Sequence, residues 1–345
     1  MRWTRCRVAL AAALLCGGFV AAPAHGADAA LIAAAQREGE VTWYTTQIVN
    51  QFGRPAMDAF QKRYGIKVNF VRADSVELAA RMISEAQAGR LQADVFDGTA
   101  TAPALKRAGL VLQWLPDRAK GWPAEYRDPE GYWVATNIFV HTPARNTNLV
   151  PNGSEPRTWR DLLDPRWKNK MAWVTHATSS GAPGFVGVVL AELGETEGKA
   201  YLRALAAQSI IGLGGSARTL VDQSIAGEYP LALQVFNHQP VISARRGAPI
   251  DWIPMSPAMA VLSVAGVTRS APHPNAAKLL VDFFVSDEGQ KLFRDADYIP
   301  VAPDVPPREA SLRPDGQRFR GIFFSPEKMD ASMPHWLDVY NEIFR

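Results

Sequence analysis

The stretch "FQKRYGIKVNFVRADSVELAARMISEAQAGRLQADVF", residues 60–96, decides the class of fold. Its first residues close a helix that starts near Pro55, a residue accepted in a helix's first turn. "IKVNFVR" follows as a strand. Asp74-Ser75-Val76-Glu77 has the form of a capping box, an acid first and Glu three residues on, opening a helix through Ala88. "ADVFDGT" is the next strand with its exit loop. Upstream, Leu31 to Arg37 reads as a helix and "EVTWYTT" (Glu40 to Thr46) as a strand. Strand–helix–strand–helix–strand over residues 40–99 implies right-handed crossovers and a parallel sheet.

Beyond residue 100 the alternation is less regular. "GYWVATNIFVHTP" (Gly131 to Pro143) is a long β-rich run, read as a strand that leaves one domain and enters another. "TWRDLLDPRW" is a short helix ending at Pro165, and "KMAWVTHA" is a strand. The small-residue loop Thr178-Ser179-Ser180-Gly181 then precedes an apolar helix through Leu193. Lys199 to Gln208 and Thr219 to Ala226 are further helices. After the apolar run Tyr229 to Leu233, "QVFNHQP" sets Asn237, His238 and Gln239 together at a strand's mouth. "IDWIPMS", the apolar run Ala258 to Val267 and an amphipathic helix Pro274 to Val285 complete the pattern. There is no internal repeat and no low-complexity linker, so crossing strands join the domains.

The N-terminus reads as a signal peptide over residues 1–26. Arg2, Arg5 and Arg7 precede the apolar stretch Val8 to Val20, which is too short to span a membrane. Ala24-His25-Gly26 offers small residues for cleavage before Ala27. Cys6 and Cys16 both fall in this leader, so the mature chain has no thiol for a disulfide, a nucleophile or a metal. Anchoring through Cys16 fits poorly with the bulky Leu15 before it. The whole chain carries +3; without the three leader arginines, 37 − 3 = 34 basic residues face 34 acidic ones. A neutral mature chain gives no electrostatic case for nucleic acid or a membrane surface.

Catalytic constellations are missing from the sequence. There is no G-x-S-x-G elbow and no H-E-x-x-H, and the five histidines past the leader are scattered singly. "GLGGSART" (Gly212 to Thr219) fails the dinucleotide fingerprint because Ala217 takes the last glycine position. It does place Ser216 as an N-cap with Arg218 in the first turn, a combination suited to an anion. "THATSSG" offers the same arrangement without an arginine. Trp133, on the crossing strand, stands apart from tryptophans expected in the core, and Trp43 and Tyr44 end the first strand.

Several segments together resemble the periplasmic solute-binding proteins of ABC importers, in the branch that includes the ferric-ion-binding proteins. They are "PRTWRDLLDPRWKNKMAW", "PHPNAAKLLVDFFVSDEGQKLF" and the opening stretch, in the family's order across essentially the whole mature chain. The resemblance implies an α/β, type II two-lobed periplasmic binding protein. Each lobe is then a mixed sheet flanked by helices, and a crossing-strand hinge joins them. We divide the chain as residues 27–134 and 250–300 for lobe 1, and 135–249 and 301–345 for lobe 2. Ligands of open α/β sheets sit beyond the carboxyl ends of strands. The candidate contacts are therefore Thr45, Thr46, Gln47, Arg72, Asp97, Ser179, Ser180, Gly181, Ser216, Arg218, Thr219, Asn237, His238 and Gln239, with Trp133 at the crossing.

Ferric members of the branch carry two adjacent tyrosines after an Asn near this strand's end. Here His238, Gln239 and Pro240 follow Asn237, and the chain has no tyrosine pair. The sequence thus points to a non-enzymatic, monomeric periplasmic protein without a cofactor. It would deliver a small anionic or zwitterionic organic solute to an ABC permease in the inner membrane. The alternative is a protein that captures iron or a divalent ion through His238 and acidic cleft residues.

Overall fold

A computed structural model describes residues 28–345, so the expected leader, with Cys6 and Cys16, lies outside the described residues. The chain enters through α1 (Ala29–Glu38), β1 (Glu40–Thr45), α2 (Arg54–Tyr64), β2 (Lys67–Arg72), α3 (Ser75–Gln87), β3 (Val95–Asp97) and α4 (Thr101–Arg107). β1 pairs parallel with β2 from Glu40↔Lys67 to Thr45↔Arg72, and with β3 at Trp43↔Val95. α2 buries Ala56, Met57, Phe60 and Tyr64, one stripe of a helix, and ends at Gly65 in the left-handed region.

β4 (Val134–Asn146) is the expected crossing strand, buried along almost its whole length. Then come β5 (Met171–Val174), α5 (Ala182–Ala206), β6 (Ile211–Leu213), α6 (Ala217–Ile225), β7 (Leu231–Phe236), α7 (His238–Ala244) and β8 (Ile250–Trp252). β9 (Ala258–Val267) returns along β4, from His141↔Met259 to Val134↔Ala265. α8 (Pro274–Val285), α9 (Asp287–Asp295), β10 (Ile299–Pro300), β11 (Gly321–Phe324) and α10 (Pro326–Phe344) finish the fold. The strands form one mixed sheet ordered β2-β1-β3-β9-β4-β7-β5-β6, with β8 and β10 on β4 and β11 on β9.

The first lobe's core gathers Trp43, Phe60, Phe96 and Phe284; the second gathers Trp173, Phe185, Trp336 and Tyr340. Val301, Ala302, Val305, Leu312 and Phe319 pack into the first core, although the sequence reading put residues 301–345 in lobe 2. The reason is local. β10 pairs with β4 at Ile299↔Ile138, and the amides of Val301 and Ala302 donate to Gln290 Oε1 at 2.9 and 3.0 Å.

Three local expectations change. The helices expected at Pro183–Leu193 and Lys199–Gln208 belong to α5, whose turns break at Gly194 (φ 75°). The segment "RDLLDPRW" folds as two short 3-10 turns. Asp74 stands at the N-cap of α3 but makes no side-chain cap; its carboxylate turns to Arg72 at 3.2 Å.

The "SDEGQ" segment has a clear structural basis. Ser286 caps α9 through the Gly289 amide at 3.2 Å. A Cβ on Gly289 would lie 2.0 Å from the Phe283 carbonyl oxygen, so only glycine fits. Gln290 is fully buried, and its Nε2 donates to the carbonyls of Thr136 and Phe284, both at 2.9 Å. That amide ties the crossing strand to the end of α8 and to residues 301–302. Gln290→Leu leaves four buried partners unpaired, each costing about 1–3 kcal/mol. Urea unfolding should show a loss of roughly 3 kcal/mol or more, whereas a change under about 0.5 kcal/mol would show that the tie is dispensable.

Candidate functional site

The strands β1, β2 and β3 end toward β5, β6 and β7, so their exit loops face one another across the two crossing strands. On the first lobe the β1 exit is built on Asp97. This carboxylate is 2% exposed and accepts from the hydroxyls of Thr45 and Thr46, each at 2.5 Å, and from the Thr46 amide at 2.8 Å. Burial pushes the Asp97 carboxyl up, and these hydrogen bonds pull it back only in part. Asp97, expected to meet ligand, therefore holds the Thr45–Thr46 turn in shape. Gly98 permits the same crowding, since a Cβ there would come within 2.7 Å of Ser75 Oγ, Thr101 Oγ1 and Thr46 Cγ2. Ser75 in turn caps α4, accepting from the amides of Ala100 and Thr101.

Gln47 continues from this turn to the hinge. Its Nε2 lies 3.2 Å from Ser263 Oγ on β9 and 3.4 Å from Asn137 Oδ1 on β4. Trp133 is 2% exposed in the first core, and its indole N–H donates to Glu327 Oε1 at 2.7 Å, on the first turn of α10. That contact makes Trp133 a strut between lobes. Trp43 and Tyr44 are also core, Trp43 against Phe284 and the Tyr44 hydroxyl on Glu85 at 2.9 Å.

On the second lobe, Ser216 caps α6 as expected, accepting from the Thr219 amide at 3.2 Å and meeting Thr219 Oγ1 at 3.0 Å. Arg218 lies one residue into α6, where its guanidinium pairs with Asp222 and donates to Ser243 Oγ at 3.0 Å. The loop before α5 is held by Gln234, which donates to the Ser179 carbonyl at 2.8 Å. The Ser180 hydroxyl lies 3.5 Å from Thr178 Oγ1, and Gly181 is the N-cap of α5 with no side-chain cap. His176, not anticipated from the sequence, joins this loop to the α6 start by accepting from the Gly215 amide at 3.2 Å.

"QVFNHQP" is a strand end followed at once by a helix, because His238 opens α7. Asn237 is fully buried and donates to the Leu312 carbonyl at 2.9 Å. Gln239 is 7% exposed. The His238 ring is set among Phe139, Phe236 and Tyr298, with centroids 5.9, 5.7 and 5.2 Å away. Tyr298 is the functional candidate that sequence reasoning missed. Burial pushes its phenol well up; the Ile48 amide and the Arg72 charge oppose that, and Asp97 adds to it. Arg72 on the first lobe thus acts on Tyr298, as Arg218 on the second acts on His238. Gln47 Oε1, Asn137 Nδ2, Asn237 Oδ1 and Gln239 Oε1 are buried with no protein partner.

The chain belongs to the bacterial extracellular solute-binding protein family, whose sequence model matches residues 102–322. A putative 2-aminoethylphosphonate-binding periplasmic protein of Salmonella typhimurium is 24% identical over 88% of this chain and 85% of its own length. An Fe(3+)-binding periplasmic protein of Serratia marcescens is 25% identical over 69% of this chain and 71% of its own. Iron-bound HitA from Pseudomonas aeruginosa superposes with a TM-score of 0.73 at 22% identity, covering 88% of this chain and 99% of that one. The fold is accordingly that of the type II periplasmic binding proteins.

Burial pulls the imidazoles of both His141 and His238 down to about 3. The unfolded chain titrates them near ~6.5, so between those values it binds more protons than the folded one. Their contribution to stability is complete above ~6.5 and is lost as pH falls toward about 3. Urea unfolding should show a decrease of about 2 kcal/mol per histidine between pH ~8 and pH ~5. Equal stability at the two pH values would contradict the buried neutral rings.

Proposed function

We propose that this member of the extracellular solute-binding family is the periplasmic capture component of an ABC importer. It binds a small organic anion, or a zwitterion bearing an anionic group, between its lobes. The observation that carries this reading is the pair of guanidiniums, Arg72 and Arg218, whose charges reach Tyr298 and His238, the two rings that meet edge to face. An anion met from both sides favours the closed arrangement by its differential contacts. Arg72's pairing with Asp74 is solvent-exposed, and such ion pairs contribute little. It therefore offers small resistance to a competing anionic ligand. The buried amide atoms of Gln47, Asn137, Asn237 and Gln239 suit a polar solute, because buried polar groups are normally hydrogen-bonded.

Iron fits this donor set less well. Ferric ion prefers anionic oxygen ligands, and His238 is a neutral ring among aromatic side chains. The buried carboxylate of Asp97 is already engaged by Thr45 and Thr46. The aminoethylphosphonate named for the Salmonella relative combines an amine with a phosphonate, which matches the proposed class.

Calorimetry with 2-aminoethylphosphonate, simple carboxylates, sugar phosphates and ferric citrate tests the reading. At least one organic anion should bind, and Arg218→Ala should weaken it by about tenfold or more through loss of a charge-assisted contact. Ferric citrate as the sole binder, or unchanged affinity in Arg218→Ala, would overturn it.

A further inference from the structure

The corner between β7 and α7 packs on the first core, with Val241 of α7 among the side chains against it. His238 opens α7, which follows directly on β7, whereas Tyr298 belongs to the first core; their rings meet edge to face at 5.2 Å and 89°. Next to this contact, Arg245 at the end of α7 pairs with Asp297, the residue before Tyr298. Asn237 reaches Leu312, also in the first core. Within this arrangement His238 is 4% exposed.

The groups around the ring give it little help in carrying a charge. β4 contributes Phe139 and His141, β7 contributes Phe236, and the turn before β10 contributes Tyr298 and the Arg245-paired Asp297. α6 contributes Arg218, whose positive charge adds to burial in opposing protonation of the ring. A charged imidazole here would be desolvated and without an opposing carboxylate of its own.

We propose that the His238–Tyr298 contact is an interlobe latch that forms only with a neutral imidazole, so that acid opens the cleft. The proposal rests on the reading of the cleft as the solute site, and it makes solute capture proton-linked. Tyr298 is a positioning residue: its ring holds His238 out of water. Parting the lobes returns the ring to solvent, where it titrates near its ordinary ~6.5. In the latch it titrates at about 3. At pH ~5 this difference favours the open form by about thirtyfold relative to its population at high pH.

The test needs no solute, so it is independent of whether the proposed ligand class is right. Site-resolved NMR titration should find that His238 in the wild type takes up its proton only as the cleft opens, with a midpoint about one unit or more below ~6.5 that coincides with the expansion seen by scattering. In Tyr298→Leu its midpoint should rise by about one unit toward ~6.5, while Tyr298→Phe, which keeps the ring, should retain the low midpoint. Small-angle scattering should show the wild-type radius growing between pH ~8 and pH ~5, with His238→Gln showing no such growth. A wild-type His238 that titrates near ~6.5 overturns the latch. So does a wild-type radius that does not change with pH, or an expansion that survives in His238→Gln. Calorimetry at neutral pH separately decides the solute reading.

Discussion

Everything in this molecule hangs on the antiparallel pairing of β4 with β9. The two strands run together from Val134↔Ala265 to His141↔Met259, and almost every side chain along both is buried. Strands covered on both faces read as continuous apolar runs rather than alternating ones. Lobe 1's parallel strands attach to β9 through β3, and lobe 2's attach to β4 through β7. The two lobes therefore share a sheet while presenting their strand exits to each other. The Gln290 amide, bonded to the Thr136 carbonyl of β4, braces this crossing from below.

Given that frame, the cleft's chemistry follows from which side chains support its loops and which remain to meet a solute. Asp97, Ser75, Gln234 and His176 hold the exit loops in shape through hydrogen bonds within each lobe. Arg72, Arg218, His238 and Tyr298 are the residues we propose meet the solute. A site made this way is rigid where it is structural. It is ionic at two opposed points, and aromatic where the halves touch. Family membership is consistent with capture rather than catalysis.

Much of the fold was legible in the sequence because it is periodic. β4 and β9 were readable as long apolar runs, and α8 appears with its expected bounds. The misreadings have physical causes. Asp74 and Ser75 look like the start of a capping box, but Ser75 is taken by the amides of α4 and Asp74 by Arg72. The helix α7 has no counterpart in the reading of "QVFNHQP" as a strand's mouth, although Pro240, three residues after the Asn237 N-cap, is accepted that early in a helix. The site was less legible than the fold. Asp97 has the residue type and position of a ligand contact, and only the three-dimensional arrangement assigns it to Thr45 and Thr46. Tyr298 gave no signal, because its partner His238 is distant in sequence and no local pattern links them.

The proposal that the interlobe cleft takes a small organic anion rather than a metal ion is open to direct test. Native mass spectrometry of the protein, isolated with whatever it retains and then challenged with 2-aminoethylphosphonate and with ferric ion, addresses it most directly. A mass increment from an organic anion is expected, weakened when Arg72 and Arg218 are both replaced by alanine. An increment from a bare metal ion that persists in the double variant would contradict it.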